Sequence, residues 1–124
     1  MIVLDTNYIL RFLMRDDEAM YQIARDTIRN HQCLIDNEVF AEVIFVLIKV
    51  YHIPREEIRR TLERFLSLNT ILVEDKALLM RALQLFDEKN IDIVDAILCA
   101  KSRRFEVRTF DKKLGRCIVS VQAP

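Results

Sequence analysis

Ile2-Val3-Leu4-Asp5-Thr6-Asn7 opens the chain, and the reading of this stretch decides the fold. Three apolar residues in a row are short for a helix and fit a strand buried on both faces. Asp5, Thr6 and Asn7 carry short polar side chains that accept hydrogen bonds from the first free amides of a helix. The stretch therefore predicts a strand-to-helix junction, with the Asp5 carboxylate at the carboxyl end of the strand.

The same rhythm recurs downstream. Residues 33–35 form a second short apolar run closed by Asp36-Asn37, and residues 70–73 form a third. Residues 106–110 read as a fourth strand ending at Asp111, and residues 118–121 as a fifth. Helical stretches separate them. Asp16, Asp17 and Glu18 precede one that runs to about residue 31, with acids suited to the positive end of a helix. Another covers residues 38–51, and Pro54 with Glu56 and Glu57 opens the next, to about residue 66. Asp75 caps a helix ending near Asn90, and Asp92-Ile93-Val94-Asp95 is the entrance of one reaching about residue 103. Short apolar strands alternating with helices predict an α/β fold with a small central parallel sheet of four to five strands covered on both faces.

With 124 residues, the expectation is a single domain over residues 1–124, built around one core. The longest unbroken apolar run, residues 43–48, falls far short of the roughly 20 residues of a spanning helix. The N-terminus lacks the pattern of a signal peptide, since an acid already stands at position 5, so no membrane association and a cytoplasmic location are expected. Cys33, Cys99 and Cys117 show no C-x-x-C spacing, and free thiols are expected. Charge is balanced overall but uneven. Lys101, Arg103, Arg104, Arg108, Lys112, Lys113 and Arg116 face only Glu106 and Asp111 in the last 24 residues. That basic end suits a phosphate-bearing partner, and equally an ordinary solvated face.

Ligands of open parallel sheets gather at the carboxyl ends of strands. Asp5 and Asp111 are expected at two such ends, and Asp95 at a helix N-terminus, where amides and the helix dipole stabilise a carboxylate. Singly, each is explained by capping or turn formation. Glu42 shares a helical stripe with Glu38 and Lys49, as a solvent-facing residue does. Its neighbours Phe45 and Val46 are apolar, however, which places it at the edge of a crevice. Four carboxylates drawn together repel by about 3 kcal/mol per pair at about 5 Å and an effective dielectric of about 20. Such a cluster requires cations, and an all-oxygen donor set selects hard ions such as Mg²⁺ or Mn²⁺.

The opening I-V-L-D-T-N, A-E-V at 41–43, D-A-I-L-C-A at 95–100 and T-F-D at 109–111 occur in the order and approximate spacing of PIN domains. Over essentially its whole length the chain resembles that family, and within it the VapC-type toxins of prokaryotic toxin–antitoxin pairs. The resemblance implies a PIN-like three-layer α/β/α fold and places Asp5, Glu42, Asp95 and Asp111 at the family's four acidic positions. Thr6 and Asn7 would support Asp5, and Thr109 would precede the last acid. Lys113 stands where many relatives carry another acid, a departure that weakens the case for a second ion. Asp92 is expected to cap its helix rather than join the site.

The activity implied is Mg²⁺- or Mn²⁺-dependent hydrolysis of RNA phosphodiesters, with an RNA substrate, a cognate antitoxin and a homodimer as expected partners. His31 and His52 lie outside every motif, so a histidine-based mechanism finds no support. An aspartyl phosphatase would want a second Asp where Asn7 stands, and a receiver domain an acidic pair at the first strand. The remaining alternative is a catalytically silent PIN fold that binds RNA or protein; the presence of all four acids favours the enzyme.

Overall fold

The computed structural model describes residues 1–123; Pro124, the last residue of the expected domain, lies outside the described residues. Three short strands, β1 (Ile2–Val3), β2 (Cys33–Leu34) and β3 (Ile71–Leu72), alternate with seven helices among these residues. The helices are α1 (Thr6–Met14), α2 (Glu18–Asn30), α3 (Asn37–Lys49), α4 (Arg55–Leu66), α5 (Lys76–Glu88), α6 (Ile93–Lys101) and α7 (Lys112–Gln122).

The strands pair in parallel in the order β1-β2-β3, with Ile2 opposite Cys33 and Cys33 opposite Ile71. Backbone bonds extend the ladder by one residue at the carboxyl ends, where the Leu4 amide donates to the Leu34 carbonyl and the Ile35 amide to Leu72. The molecule is thus an α/β fold with a small parallel sheet and many helices, as the opening stretch predicts. The sheet has three strands among the described residues rather than four to five, and its order does not reverse.

The two expected strands that are missing differ in what replaces them. Residues 106–109 run without regular backbone pairing; Glu106 and Arg108 pair with each other at 3.0 Å, and Phe110 stands fully exposed. Residues 118–121 lie inside α7. Leu114 and Cys117 are buried, and Ile118 and Val121 pack against the core, a stripe at i, i+3, i+4 and i+7. Exposed Val119 and Ser120 complete the helical pattern. A cap at Asp111 outweighs the strand preference of the β-branched residues, which is a weak bias that packing overrides.

One hydrophobic cluster joins all these elements. Phe40, Ile44 and Leu47 bring α3 into it, Ile58 and Leu62 bring α4, and Leu79, Leu83 and Phe86 bring α5. Each such side chain stabilises the fold by roughly 1.5–3 kcal/mol through removal from water. Helix α5 packs against α4 and α6, and α6 against α7. A bond between Cys99 and Cys117 ties α6 to α7, which corrects the expectation of free thiols; only buried Cys33 remains free, its thiol pKa raised by desolvation. Helix packing, not sequence spacing, brings that pair together. No helix among the described residues is long and apolar enough to cross a membrane.

Candidate active site

Asp5 is the residue at which β1 becomes α1. Its backbone is extended (φ −93°, ψ 175°), and its Oδ1 accepts a hydrogen bond from the Tyr8 amide at 2.9 Å. The first free donors of α1 therefore orient the carboxylate and leave its second oxygen for another partner. Thr6 is half-buried beside it and Asn7 is exposed. At the other end of α1, Arg11 pairs with Asp16 at 3.0 Å and donates to the Tyr51 hydroxyl, which itself donates to Asp16 at 2.7 Å. This network locks α1 to the segment that follows α3.

Glu42 lies in the second turn of α3, exposed, between half-buried Ala41 and fully buried Val43. No hydrogen bond or ion pair engages its carboxylate among the described residues. The expected crevice is only partly present: Val46 is half-buried, while Phe45 is 56% exposed. Its helix does pack against both α1 and α6, the helices that start near Asp5 and Asp95.

Asp92 caps α6, accepting from the Val94 amide at 2.8 Å, as expected. Asp95, in the first turn, is half-buried and has no hydrogen-bond partner among the described residues. Burial, then the negative charges of Asp92 and Asp111, hold its carboxyl above the usual range for an aspartate, while Lys113 pulls it back. Asp111 is the cap of α7 rather than the end of a strand. Its Oδ1 accepts from the Leu114 amide at 2.9 Å, and its own amide donates to the Thr109 hydroxyl at 2.9 Å. Thr109 thereby fixes the backbone at the residue that carries the acid. The Lys113 ammonium is anchored by donating to the Asn90 carbonyl.

Arg55 is a positioning residue that the sequence reading missed. Its guanidinium donates to the Phe86 and Ile91 carbonyls, both at 2.7 Å, and lies 4.2 Å from the centroid of the Phe86 ring. It joins the end of α5 to the residue before the Asp92 cap, so it holds the entrance of α6 in place. Burial lowers its pKa, and Asp92 and Asp87 act in the opposite sense. One signal was available: a cation at the first position of a helix opposes the dipole and calls for another reason to be there.

Asp92, Asp111 and Lys113 thus each lie near enough to act on the charge of Asp95. Asp5 and Glu42 stand on neighbouring elements, outside that group. Among the described residues no three His, Cys, Asp or Glu side chains are gathered closely enough to grip an ion. The donors nevertheless fit a hard cation in kind. They are all carboxylate oxygens, and half-buried Asp95 carries a charge that no hydrogen bond compensates. Asp5, Glu42 and Asp111 are exposed; one oxygen each of Asp5 and Asp111 is held by a helix-start amide, and the other is open to a ligand.

Residues 2–117 match the model of the protein family described as the PIN domain. No curated protein and no solved structure matches the chain.

Proposed function

The chain belongs to the PIN-domain family, a nuclease-type fold, and from that premise we propose that it is a Mg²⁺- or Mn²⁺-dependent endoribonuclease. Asp5, Glu42, Asp95 and Asp111 would hold the ion. The observation that carries the reading is Asp95, a half-buried carboxyl with two acids near it and, among the described residues, no hydrogen-bond donor on it. Such an arrangement is unfavourable alone and favourable with a cation.

When bound, the ion supplies Lewis acidity, activating a water molecule and stabilising charge that builds on the phosphate oxygens. The chain's own residues orient and restrain. Tyr8 and Leu114 amides fix one oxygen each of Asp5 and Asp111, which leaves the other oxygen of each to a ligand. Arg55 holds the α6 entrance, and with it Asp95. Lys113 offers fixed positive charge beside the acids. No residue of the chain is required as a covalent nucleophile.

Purified protein is expected to cleave single-stranded or structured RNA with Mg²⁺ or Mn²⁺ and to lose that activity in EDTA or as Asp5→Asn. Cleavage that persists unchanged in the variant sinks the site assignment, and RNA binding without cleavage indicates a silent PIN fold. Within this reading we assign the chain as the toxin of a toxin–antitoxin pair, supported by the VapC-like motif set. An adjacent small reading frame encoding a DNA-binding protein that blocks the cleavage is the expected companion. Its absence favours a role in RNA processing.

A further inference from the structure

Ion pairs account for part of the basic C-terminal segment. Arg104 pairs with Asp75 at 3.4 Å and Arg108 with Glu106 at 3.0 Å. Lys89, Lys113 and Arg116 behave differently: among the described residues none of them is in an ion pair with a carboxylate. The three line one cavity of about 370 Å³, together with Ile91, Cys117 and Ser120. Among the described residues no carboxylate lines this cavity. Like charges gathered on one wall raise the local potential and attract an anion.

The donors are the three cations. Ser120 directs its hydroxyl proton to the Cys117 carbonyl at 2.7 Å, so it contributes no free donor. The Lys113 ammonium donates once to the Asn90 carbonyl and keeps two further protons for a ligand. Lys89 closes the end of α5, and Arg116 projects from α7 one turn after Lys112, both exposed. The cavity wall is held by the Cys99–Cys117 bond between α6 and α7.

Lys113 belongs to two groups at once. It lines the cavity, it stands in the first turn of α7 just after the Asp111 cap, and its ammonium is bonded to the Asn90 carbonyl, just before the Asp92 cap of α6. A phosphate in the cavity therefore lies beside the Asp111 cap and the entrance of α6 rather than on a remote face.

We propose that the cavity formed by Lys89, Lys113 and Arg116 is a subsite for one backbone phosphate of the RNA, next along the chain from the phosphate presented to Asp95 and Asp111. This rests on the ribonuclease reading and adds to it the place where the substrate is gripped and the direction in which the strand leaves the acids, across α7 toward the end of α5. Lys113 joins the two sites, bearing on the acids on one side and on the neighbouring phosphate on the other.

The test is binding of a labelled single-stranded RNA oligonucleotide to Asp5→Asn protein, which does not consume it, by fluorescence anisotropy across a series of salt concentrations. Adding Lys89→Gln and Arg116→Gln together is expected to weaken binding about tenfold at low salt and to make the log–log salt dependence shallower by about 1. Both side chains are exposed, so the substitutions leave the core intact. Arg103→Gln removes an exposed charge outside the cavity and is expected to leave the slope unchanged. Equal effects from Arg103→Gln and the double variant mean diffuse attraction and overturn the subsite. So does an unchanged slope in the double variant while the parent protein still cleaves RNA, and in that case the ribonuclease reading survives. A parent protein that neither binds nor cleaves RNA removes both. If inorganic phosphate protects the Asp5→Asn protein against heat through Lys89 and Arg116, with RNA binding untouched, the cavity takes a free phosphate and the assignment to the RNA chain is overturned.

Discussion

Asp95→Asn is expected to reduce RNA cleavage by about 10²-fold or more, equivalent to about 2.7 kcal/mol of transition-state stabilisation, while making the metal-free protein more stable. Both effects come from one feature. Asn keeps the shape of Asp95 but removes its charge, which lies half-buried, without a hydrogen-bond donor, near Asp92 and Asp111. Because the folded-state pKa of Asp95 is raised from 3.8, the protonated form favours the fold. The favourable contribution is fully present below that value and lost as pH rises through the folded pKa. At neutral pH the ionised carboxylate is a cost, and Asn removes it. Thermal unfolding in EDTA should therefore give a higher melting temperature for the variant at pH 7, a difference that vanishes below about pH 4. A variant that cleaves at the parent rate, or that is less stable at pH 7, contradicts this role for Asp95.

Arg55→Leu is expected to destabilise the protein by about 3 kcal/mol and to lower cleavage along with it. The guanidinium donates to the Phe86 and Ile91 carbonyls, and hydrogen bonds from a charged donor are worth about 1.5–3 kcal/mol each. Leucine fills some of the space over the Phe86 ring but leaves both carbonyls without that donor. Since total stability is usually about 5–15 kcal/mol, the loss is a large fraction of it. Arg55→Lys should recover only part, because one ammonium does not reproduce a planar fork spanning two acceptors. Urea unfolding measures the first effect, and cleavage at a temperature where the variant stays folded measures the second. A stability within about 0.5 kcal/mol of the parent removes Arg55 as the clamp of the α6 entrance.

Reading from sequence succeeded where the controlling interactions are local. The junction at residues 2–7 follows from an apolar run meeting a capping residue, and the structure has β1, the Asp5 cap and α1 there. The Asp75 and Asp92 caps follow from the same chemistry. Residues 118–121 misled because Ile118, Val119 and Val121 favour strands, whereas the stripe of Leu114, Cys117, Ile118 and Val121 shows only when the window starts at the Asp111 cap. Residues 106–110 alternate as a strand should, but pairing needs a partner edge that no local pattern specifies.

The candidate site divides in the same way. Asp5, Asp95 and Asp111 announce themselves through the backbone they cap or enter, although Asp111 does so at a helix start and not a strand end. Glu42 has no such anchor; it is an exposed helical residue whose assignment rests on the motif around it. Arg55, the Cys99–Cys117 bond and the cavity of Lys89, Lys113 and Arg116 depend on contacts between helices distant in sequence. None of them was legible from spacing.

Asp5, Glu42, Asp95 and Asp111 are expected to draw together around a divalent cation. Anomalous diffraction from crystals grown with Mn²⁺ tests it most directly. The prediction is a peak within about 2.1 Å of oxygens from Asp95, Asp5 and Asp111, with Glu42 turned toward it, directly or through water. A peak elsewhere, or a cation-saturated crystal in which these four carboxylates remain apart with no peak among them, contradicts it.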